Sequence, residues 1–185
     1  SNPDVLYLLL DNYEIAYTAK PGEMDSYGRQ KQDVIKGATV YRSDNAGASW
    51  KQVSGLTEET KVYMERHSGT YGWVFGQIRV DPKDENTIYT LGIQLHKSVD
   101  GGATFSVLRG PHADHHGLWI DPNNPSYLLN VQDGGLTISY DKGATWKYPI
   151  EELPLAQFYN IAYDFSTPFR VFGSIQDHHS FYGSV

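Results

Sequence analysis

The sequence predicts an all-β protein made of repeated four-stranded antiparallel sheets, the architecture of a β-propeller. Two observations predict it: a short turn motif occurs three times along the 185 residues, and a second element recurs with a spacing of about 40 residues. The composition agrees, because 18 glycines, 14 tyrosines and 7 phenylalanines are residues typical of turns and strands.

The turn motif has the pattern Ser-x-Asp/Asn-x-Gly-x-Ser/Thr-aromatic and covers residues 43–50 (motif 1), 98–105 (motif 2) and 139–146 (motif 3). Asp or Asn and a glycine two residues later both tolerate a left-handed backbone, so each motif predicts the corner of a β-hairpin. The residues predicted to build these corners are Ser43, Asn45, Gly47, Trp50, Ser98, Asp100, Gly102, Phe105, Ser139, Asp141, Gly143 and Trp146.

The second element begins with Asp-Pro, at Asp81 and at Asp121, and precedes motifs 2 and 3. Together the two elements predict four repeat units within one propeller domain, of which this chain is expected to be a fragment. Their boundaries are 1–56, 73–108, 115–149 and 157–185, with long loops at 11–37 and 51–72. In the third unit we expect strand A at 117–121, strand B at 127–131, strand C at 136–140 and strand D from 145.

Four stretches carry a family resemblance: His112 to Pro122, which reads HADHHGLWIDP, Asp133-Gly134-Gly135 before motif 3, Gln157-Phe158-Tyr159, and Gln176-Asp177. The three motifs resemble Asp-boxes, or BNR repeats, of sialidase-like and sortilin-like propellers. Residues 73–184 resemble bacterial secreted BNR-repeat glycosyl hydrolases and sortilin N-terminal-domain (VPS10-like) proteins. The resemblance implies a secreted, periplasmic or cell-envelope protein with a glycan or peptide ligand.

Antiparallel strands alternate in direction, so the predicted A–B and C–D turns lie at one end of each sheet and the B–C and D–A loops at the other. The Asp-Pro elements and the motifs fall at the first end and are expected to be structural. The irregular segments fall at the second end, which we call the loop end. Insertions gathered on one side of a repeat protein indicate its binding surface.

Histidines and carboxylates are concentrated at the loop end, and imidazole with carboxylate can bind a ligand, exchange protons near neutral pH or hold a metal ion. Three aspartates are candidates for the two carboxylates of a glycosidase: Asp114, Asp133 and Asp177. A divalent metal, if bound, would use His112, Asp114 and His116. The residues expected to line the ligand site are His112, Asp114, His115, His116, Gln132, Asp133, Gln176 and Asp177. The alternative is a polar network that only fixes the loops.

Aromatic residues divide into two groups. Trp119 is expected in the core, and Trp50, Phe105 and Trp146 are expected to pack between sheets. The tyrosines of the long loops are candidates for stacking on a sugar or a peptide: Tyr13, Tyr17, Tyr27 and Tyr71.

Two function classes remain open: a secreted glycan-active hydrolase, and a sortilin-like propeller that binds a peptide, glycan or partner protein without catalysis. Arg42 and Arg79 fall in predicted strands, so the arginine triad of sialidases is not expected. A net charge of −7 argues against nucleic acid, and no apolar run is long enough to span a membrane. The rest of a propeller or a partner chain is expected to cover the flanking sheets.

Overall fold

The structure is a computed structural model that describes residues 2–60, 76–149, 158–175 and 180–184. Their strands form four antiparallel sheets, which confirms the all-β fold class. Sheet 1 contains β1 (Leu6–Tyr17), β2 (Val34–Ser43) and β3 (Lys51–Gln52). Sheet 2 contains β4 (Gln77–Asp81), β5 (Asp84–Leu91), β6 (Leu95–Ser98) and β7 (Ser106–Val107). Sheet 3 contains β8 (His115–Ile120), β9 (Leu128–Gln132) and β10 (Gly135–Ser139), and sheet 4 contains β11 (Phe158–Tyr163), β12 (Arg170–Ile175) and β13 (Ser180–Ser184).

Neighbouring strands in each sheet follow one another in the chain, as in a meander. Sheets 1 to 3 belong to one compact unit, residues 1–149, and sheet 4 belongs to a second unit, residues 150–185. Within the described ranges, no helix is long and apolar enough to cross a membrane.

The segment expected as a long loop at 11–37 is largely a hairpin. Strand β1 continues to Tyr17 and β2 begins at Val34, with Ile15 paired to Ile35, so the connection is only 18–33. Bulges interrupt the register on either side of Ile15 and break the simple alternation that a strand shows in sequence. We call residues 11–35 the hairpin arm. Of the second expected loop, 51–72, residues 51–52 form β3, and 61–72 lie outside the described residues.

The three motifs form the predicted corners with one shared hydrogen-bond pattern. In motif 3, the Ser139 hydroxyl donates to Asp141 Oδ1 (2.8 Å), and the amide of Gly143 donates to Ser139 Oγ (2.8 Å). The Thr145 amide also donates to Asp141 Oδ1, at 2.8 Å. Equivalent bonds link Ser98, Asp100, Gly102 and Thr104 in motif 2, and Ser43, Asn45, Gly47 and Ser49 in motif 1. The shared glycine of each motif, which is Gly47, Gly102 or Gly143, has a φ of 88° to 94°. A residue with a side chain would be strained in this conformation.

Each motif docks on the backbone near the start of another strand of its own sheet, and motif 1 does so through the Ala46 amide and the Asp4 carbonyl (2.8 Å). The amide of Gly101 donates to the Asn86 carbonyl (2.9 Å), and the amide of Lys142 donates to the Ser126 carbonyl (3.1 Å). In sheet 3, Ser139 of motif 3 pairs with Leu128, whereas Gly135 at the other end of β10 pairs with Gln132. The motifs therefore lie at the end of the sheet opposite His115, as the topology predicts.

Two apolar clusters lie between the sheets of the first unit. One joins Ala38, Val40, Ile88 and Phe105, and the other joins Tyr89, Leu91, Leu95, Leu118 and Leu128. Phe105 is buried as expected, and Trp146 packs against the second cluster. The expectation for Trp119 and Trp50 is wrong, because their side chains are 48% and 42% exposed. Trp119 alternates away from buried Leu118 and contacts Tyr127 edge-on instead.

Candidate functional site

Three short segments meet at the loop end of sheets 2 and 3. They are the loop 109–116 that leads into β8, the turn 132–135 between β9 and β10, and the turn 92–94 between β5 and β6. The amides of Asp114 and His115 donate to the carbonyls of Ile93 (3.0 Å) and Gly92 (2.9 Å). Asp114 has φ of 66°, a conformation that only a few non-glycine residues adopt. The loop is thus fastened to the neighbouring sheet immediately before β8 begins.

The adjacent histidines at the start of β8 lie in different surroundings. His115 pairs with Gln132, Gly117 pairs with Val131, and the bulge between these pairs falls at His116. His115 is 2% exposed, whereas the His116 side chain is 43% exposed. One imidazole is therefore buried and the other is accessible to solvent.

A chain of buried hydrogen bonds orients His115. Its Nδ1 lies 3.0 Å from Asn130 Oδ1, and the Asn130 amide nitrogen donates to Thr137 Oγ1 at 3.2 Å. Because that nitrogen faces Thr137, the Asn130 oxygen faces His115 and accepts from its Nδ1–H. Burial is the main cause that lowers the pKa of His115, so the imidazole is neutral at neutral pH and Nε2 carries a lone pair.

His116 contacts Asp133 across the loop end. The imidazole Nε2 lies 2.6 Å from Asp133 Oδ1, and the two side chains are 43% and 49% exposed. The backbone beneath this pair is braced by β4, because Gln77 Nε2 donates to the His116 carbonyl (2.8 Å) and Arg79 Nε donates to the Leu118 carbonyl (3.2 Å). The pair is therefore accessible to solvent on a firmly held strand.

Gln132 lies beneath the turn that follows it. It is 4% exposed, and its Oε1 is buried without a hydrogen-bond partner among the described residues. Gly134 covers it so closely that an added Cβ would lie 2.9 Å from this oxygen and 2.7 Å from His112 Cβ. The His112 side chain folds back onto the neighbouring backbone, because its Nδ1 donates to the Ala113 carbonyl at 3.1 Å. Gly135, the first residue of β10, has φ of 107°, a conformation that favours glycine.

The candidate metal site is not assembled. Within the part of the chain that the structure describes, no group of three His, Asp or Glu side chains could hold a metal ion. The proposed ligands diverge: His116 is directed to Asp133, and His112 is directed to its own backbone. Of the other candidates, Gln176, Asp177 and Tyr71 lie outside the described residues.

Two sets of residues that position the site were not predicted from the sequence. Gln77 and Arg79 brace β8 from a neighbouring strand, and sequence alone does not indicate which carbonyl a strand side chain will reach. Asn130 and Thr137 are buried polar residues inside strands, and Asn130 between Leu129 and Val131 was the available signal. Both side-chain polar atoms of buried Asn130 have a partner because His115 and Thr137 lie within reach.

The strand arginines do not offer a clamp for a carboxylate ligand. Arg42 donates to Asp44 (2.6 Å), to the Tyr7 hydroxyl (2.7 Å) and to Asn86 (2.7 Å). Arg79 donates to the Leu118 and Ile78 carbonyls and to Gln77 Oε1. Both guanidinium groups are thus engaged in joining sheets.

The hairpin arm presents exposed aromatic side chains. Tyr13, Tyr17 and Tyr27 are 67%, 40% and 81% exposed. Arg29 lies 4.9 Å from the centre of the Tyr27 ring, and Lys31 lies 5.3 Å from that of Tyr17. The arm is ordered by polar contacts rather than by a core, because Lys31 and the Tyr17 hydroxyl both bind Glu23 at 2.7 Å.

The sequence matches no protein-family profile and no curated protein sequence. Solved structures do resemble the fold. A GH74 xyloglucanase from Xanthomonas campestris is 17% identical with a TM-score of 0.50, and the match covers 98% of this chain and 27% of that one. A GH74 enzyme from Niastella koreensis is 16% identical with a TM-score of 0.48, covering 76% of this chain and 22% of that one. YCF48 bound to the D1 peptide is 13% identical with a TM-score of 0.40, covering 95% and 52%.

These likenesses concern the fold. At such low identity, the match to the Xanthomonas xyloglucanase supports a β-propeller of antiparallel sheets and nothing finer. The chain spans about a quarter of the length of the GH74 enzymes that it matches.

Proposed function

We propose that this chain is part of a secreted, glycan-active β-propeller that contacts its ligand at the loop end of sheets 2 and 3. The Asp-box and BNR-type resemblance of the three motifs supports the proposal, as does the fold shared with a GH74 xyloglucanase. A location outside the cytoplasm, in the bacterial envelope or the medium, is part of the same proposal. The proposal also includes a ligand surface that is completed by other parts of a longer propeller or by a partner chain.

One observation carries the proposal: the half-exposed His116–Asp133 contact of 2.6 Å. An accessible carboxylate accepts hydrogen bonds from sugar hydroxyls, and the ring nitrogens of an adjoining imidazole can donate or accept them. The strand that carries His116 is braced by Gln77, so the imidazole and the carboxylate that it contacts are held in place before a ligand arrives.

Hydrolysis would require a second carboxylate. Glycosidases use two, one as the acid and the other as the base or nucleophile. We assign Asp133 to one of these roles, with Asp114 or Asp177 as the candidate partner. Asp114 is the nearer in sequence to His116, and its backbone is fixed by the Ile93 carbonyl.

A non-catalytic binding propeller is the second candidate, and the hairpin arm favours it. Exposed Tyr13 and Tyr27 on an ordered arm would stack on a peptide, a glycan or a partner protein without supplying any acid or base. Such a module would bind its ligand saturably and release no product.

The test uses the intact protein with xyloglucan and other neutral polysaccharides, measuring both reducing ends released and affinity by calorimetry. Asp133→Asn is compared with Asp121→Asn, which makes the same change at the opposite end of sheet 3. Product release by the wild type that Asp133→Asn abolishes supports the hydrolase, and binding without product supports the binding module. If the two variants bind and hydrolyse equally well, the loop end is not the site.

A further inference from the structure

The hairpin arm, residues 11–35, lies at the loop end of sheet 1. Strand β2 leads from the arm into motif 1, just as β10 leads from the turn 133–134 into motif 3. The arm is therefore the enlarged counterpart of the turn that carries Asp133. Both connections belong to one compact unit, residues 1–149.

Sheet 2 lies between the arm and the His116–Asp133 contact. Arg42, beside motif 1, donates to Asn86 (2.7 Å), and Lys142 in motif 3 contacts Asp81 (2.7 Å), so the motif ends of the three sheets adjoin one another. Their loop ends therefore lie on one side as well. Packed sheets are about 10 Å apart, so the arm and the contact are separated by about two such spacings. A ligand that touches both must be an extended chain.

Tyr27 lies in the turn of the arm in a fixed orientation. Asp25 accepts hydrogen bonds from the amides of Tyr27 (2.8 Å) and Arg29 (3.0 Å), and also from Arg29 Nε (2.9 Å). The guanidinium held in this way lies 4.9 Å from the centre of the Tyr27 ring. Tyr27 is nevertheless 81% exposed. The ring is therefore backed by a cation on one face and accessible to a ligand on the other.

Tyr17 has the same arrangement. Lys31 Nζ lies 5.3 Å from the centre of its ring and 2.7 Å from Glu23 Oε1. The Tyr17 hydroxyl donates to the other oxygen of Glu23 at 2.7 Å. Tyr17 is 40% exposed, so part of its ring is accessible as well. Each of the two rings is thus held by a cation and a carboxylate before a ligand arrives, which reduces the entropy lost on binding.

The paired charges of the arm favour an uncharged ligand. Each cation behind a ring is neutralised by a carboxylate, in the pairs Arg29–Asp25 and Lys31–Glu23. A cationic ligand would share each ring with a cation that is already there, and an anionic ligand would compete with the carboxylate for that cation. A sugar ring needs no free charge, because it presents C–H groups to an aromatic face and hydroxyls to the polar groups around it.

We infer that Tyr17 and Tyr27 are stacking platforms for an uncharged polysaccharide, one chain of which extends from the hairpin arm to the His116–Asp133 contact. The inference rests on the proposed function and adds the size of the ligand, because only a polymer makes every contact. The arm thus contributes affinity for long chains and none for fragments that reach only the loop end of sheet 3.

The test measures, by calorimetry, the affinity of the intact protein for soluble xyloglucan, for a short xyloglucan fragment and for gelatin as an extended polypeptide. Tyr27→Leu removes the flat ring, Tyr27→Phe keeps it, and Asp133→Asn changes the other end of the proposed path. The matched control is Tyr140→Leu. Tyr140 is 58% exposed and has Lys147 Nζ 5.6 Å from the centre of its ring, but it lies in motif 3, at the opposite end of sheet 3.

We expect the wild type to bind xyloglucan more tightly than the fragment. Tyr27→Leu should weaken binding of the polymer roughly 2- to 10-fold, the loss of one aromatic contact, and leave binding of the fragment unchanged. Tyr27→Phe and Tyr140→Leu should bind both ligands as the wild type does, and Asp133→Asn should bind both more weakly. The melting temperature of Tyr27→Leu should equal that of the wild type, because the residue is exposed.

Three results overturn the inference. They are binding of the polymer by Tyr27→Leu as tight as that of the wild type, an equal loss in Tyr27→Phe or Tyr140→Leu, and binding of gelatin that is tighter than that of xyloglucan and is lost in Tyr27→Leu. The last result would assign the arm to a peptide. Failure of the proposed function gives a different pattern. Polymer binding that depends on Tyr27 but not on Asp133 supports the platforms and contradicts the site at sheet 3, whereas a wild type that binds no glycan contradicts both.

Discussion

Lys142 in motif 3 reaches Asp81 at the end of β4, with 2.7 Å between Nζ and Oδ2. The Asp81 side chain is fully buried, whereas that of Lys142 is 36% exposed. A motif that closes its own sheet therefore also neutralises a buried charge in the preceding sheet. Motif 3 thus stabilises both its own hairpin and the contact with the preceding sheet.

Removing this cation should destabilise the protein. Lys142→Met leaves Asp81 with the Lys83 amide as a hydrogen-bond donor and the electrostatic attraction of Lys97, but without its ion-pair partner. We expect the free energy of unfolding to fall by about 1–3 kcal/mol, since one partner of a buried pair is lost. Urea unfolding measures it, with Lys51→Met as the control because the Lys51 pair with Asp44 is exposed. Equal losses in both variants would contradict a special role for Asp81.

The motif aspartates should matter for stability and not for ligand affinity. Asp141→Ala removes the acceptor of the Ser139 hydroxyl and the Thr145 amide, and Asp100→Ala does the same in motif 2. We expect each change to cost about 1 kcal/mol per lost turn-fixing bond, measured by urea unfolding. Hydrogen bonds from the Thr145 hydroxyl, the Thr145 amide and the Ser139 hydroxyl lower the pKa of Asp141 to about 2. A variant that melts normally but no longer binds glycan would show that the motifs belong to the site.

Stability should decline in mild acid because of His115. Its folded-state pKa is lowered by burial, while the unfolded chain takes up the proton near pH 6.5. The unfolded state therefore binds more protons below that pH, and the free energy of unfolding falls as the pH drops toward the folded-state pKa. Asp114 opposes this shift, while His112 and His116 add to it.

The measurement compares unfolding of the wild type and His115→Gln at pH 7.5 and 5.5. Glutamine can still donate to Asn130 but does not titrate, so the difference in slope isolates His115. Identical slopes would mean that His115 is charged without penalty in the folded state.

Glycine 134 offers a test of space at the site. Gly134→Ala places a Cβ 2.7 Å from His112 Cβ, so we expect weaker glycan binding and a stability loss of about 1–3 kcal/mol from overpacking. Gly117→Ala is the matched control, because nothing lies within 4 Å of its added Cβ. Calorimetry and thermal unfolding measure both effects. Tight binding by Gly134→Ala would show that the turn moves aside freely.

Local patterns in the sequence predict the hairpins well, because the bonds in a motif join residues at most four apart, such as Asp141 and Thr145. They also predict which end carries the histidines, since strand direction alternates. The pairing of His116 with Asp133, and the brace from Gln77, depend on side chains from different segments. Bulges that redirect His116 and extend β1 to Tyr17 leave no clear mark in the sequence. Trp119 shows the same limit: alternation along a strand does not reveal which face is covered.

The brace from β4 has a consequence for how the repeats can be exchanged. Gln77 and Arg79 donate hydrogen bonds to backbone carbonyls of the following sheet. The conformation of one repeat's loop end therefore depends partly on the preceding repeat. A chain divided between residues 107 and 115 would retain every candidate residue from His115 to Asp133 and yet lose the strand that positions them. Grafting this loop end onto another propeller therefore requires two consecutive repeats, transferred together.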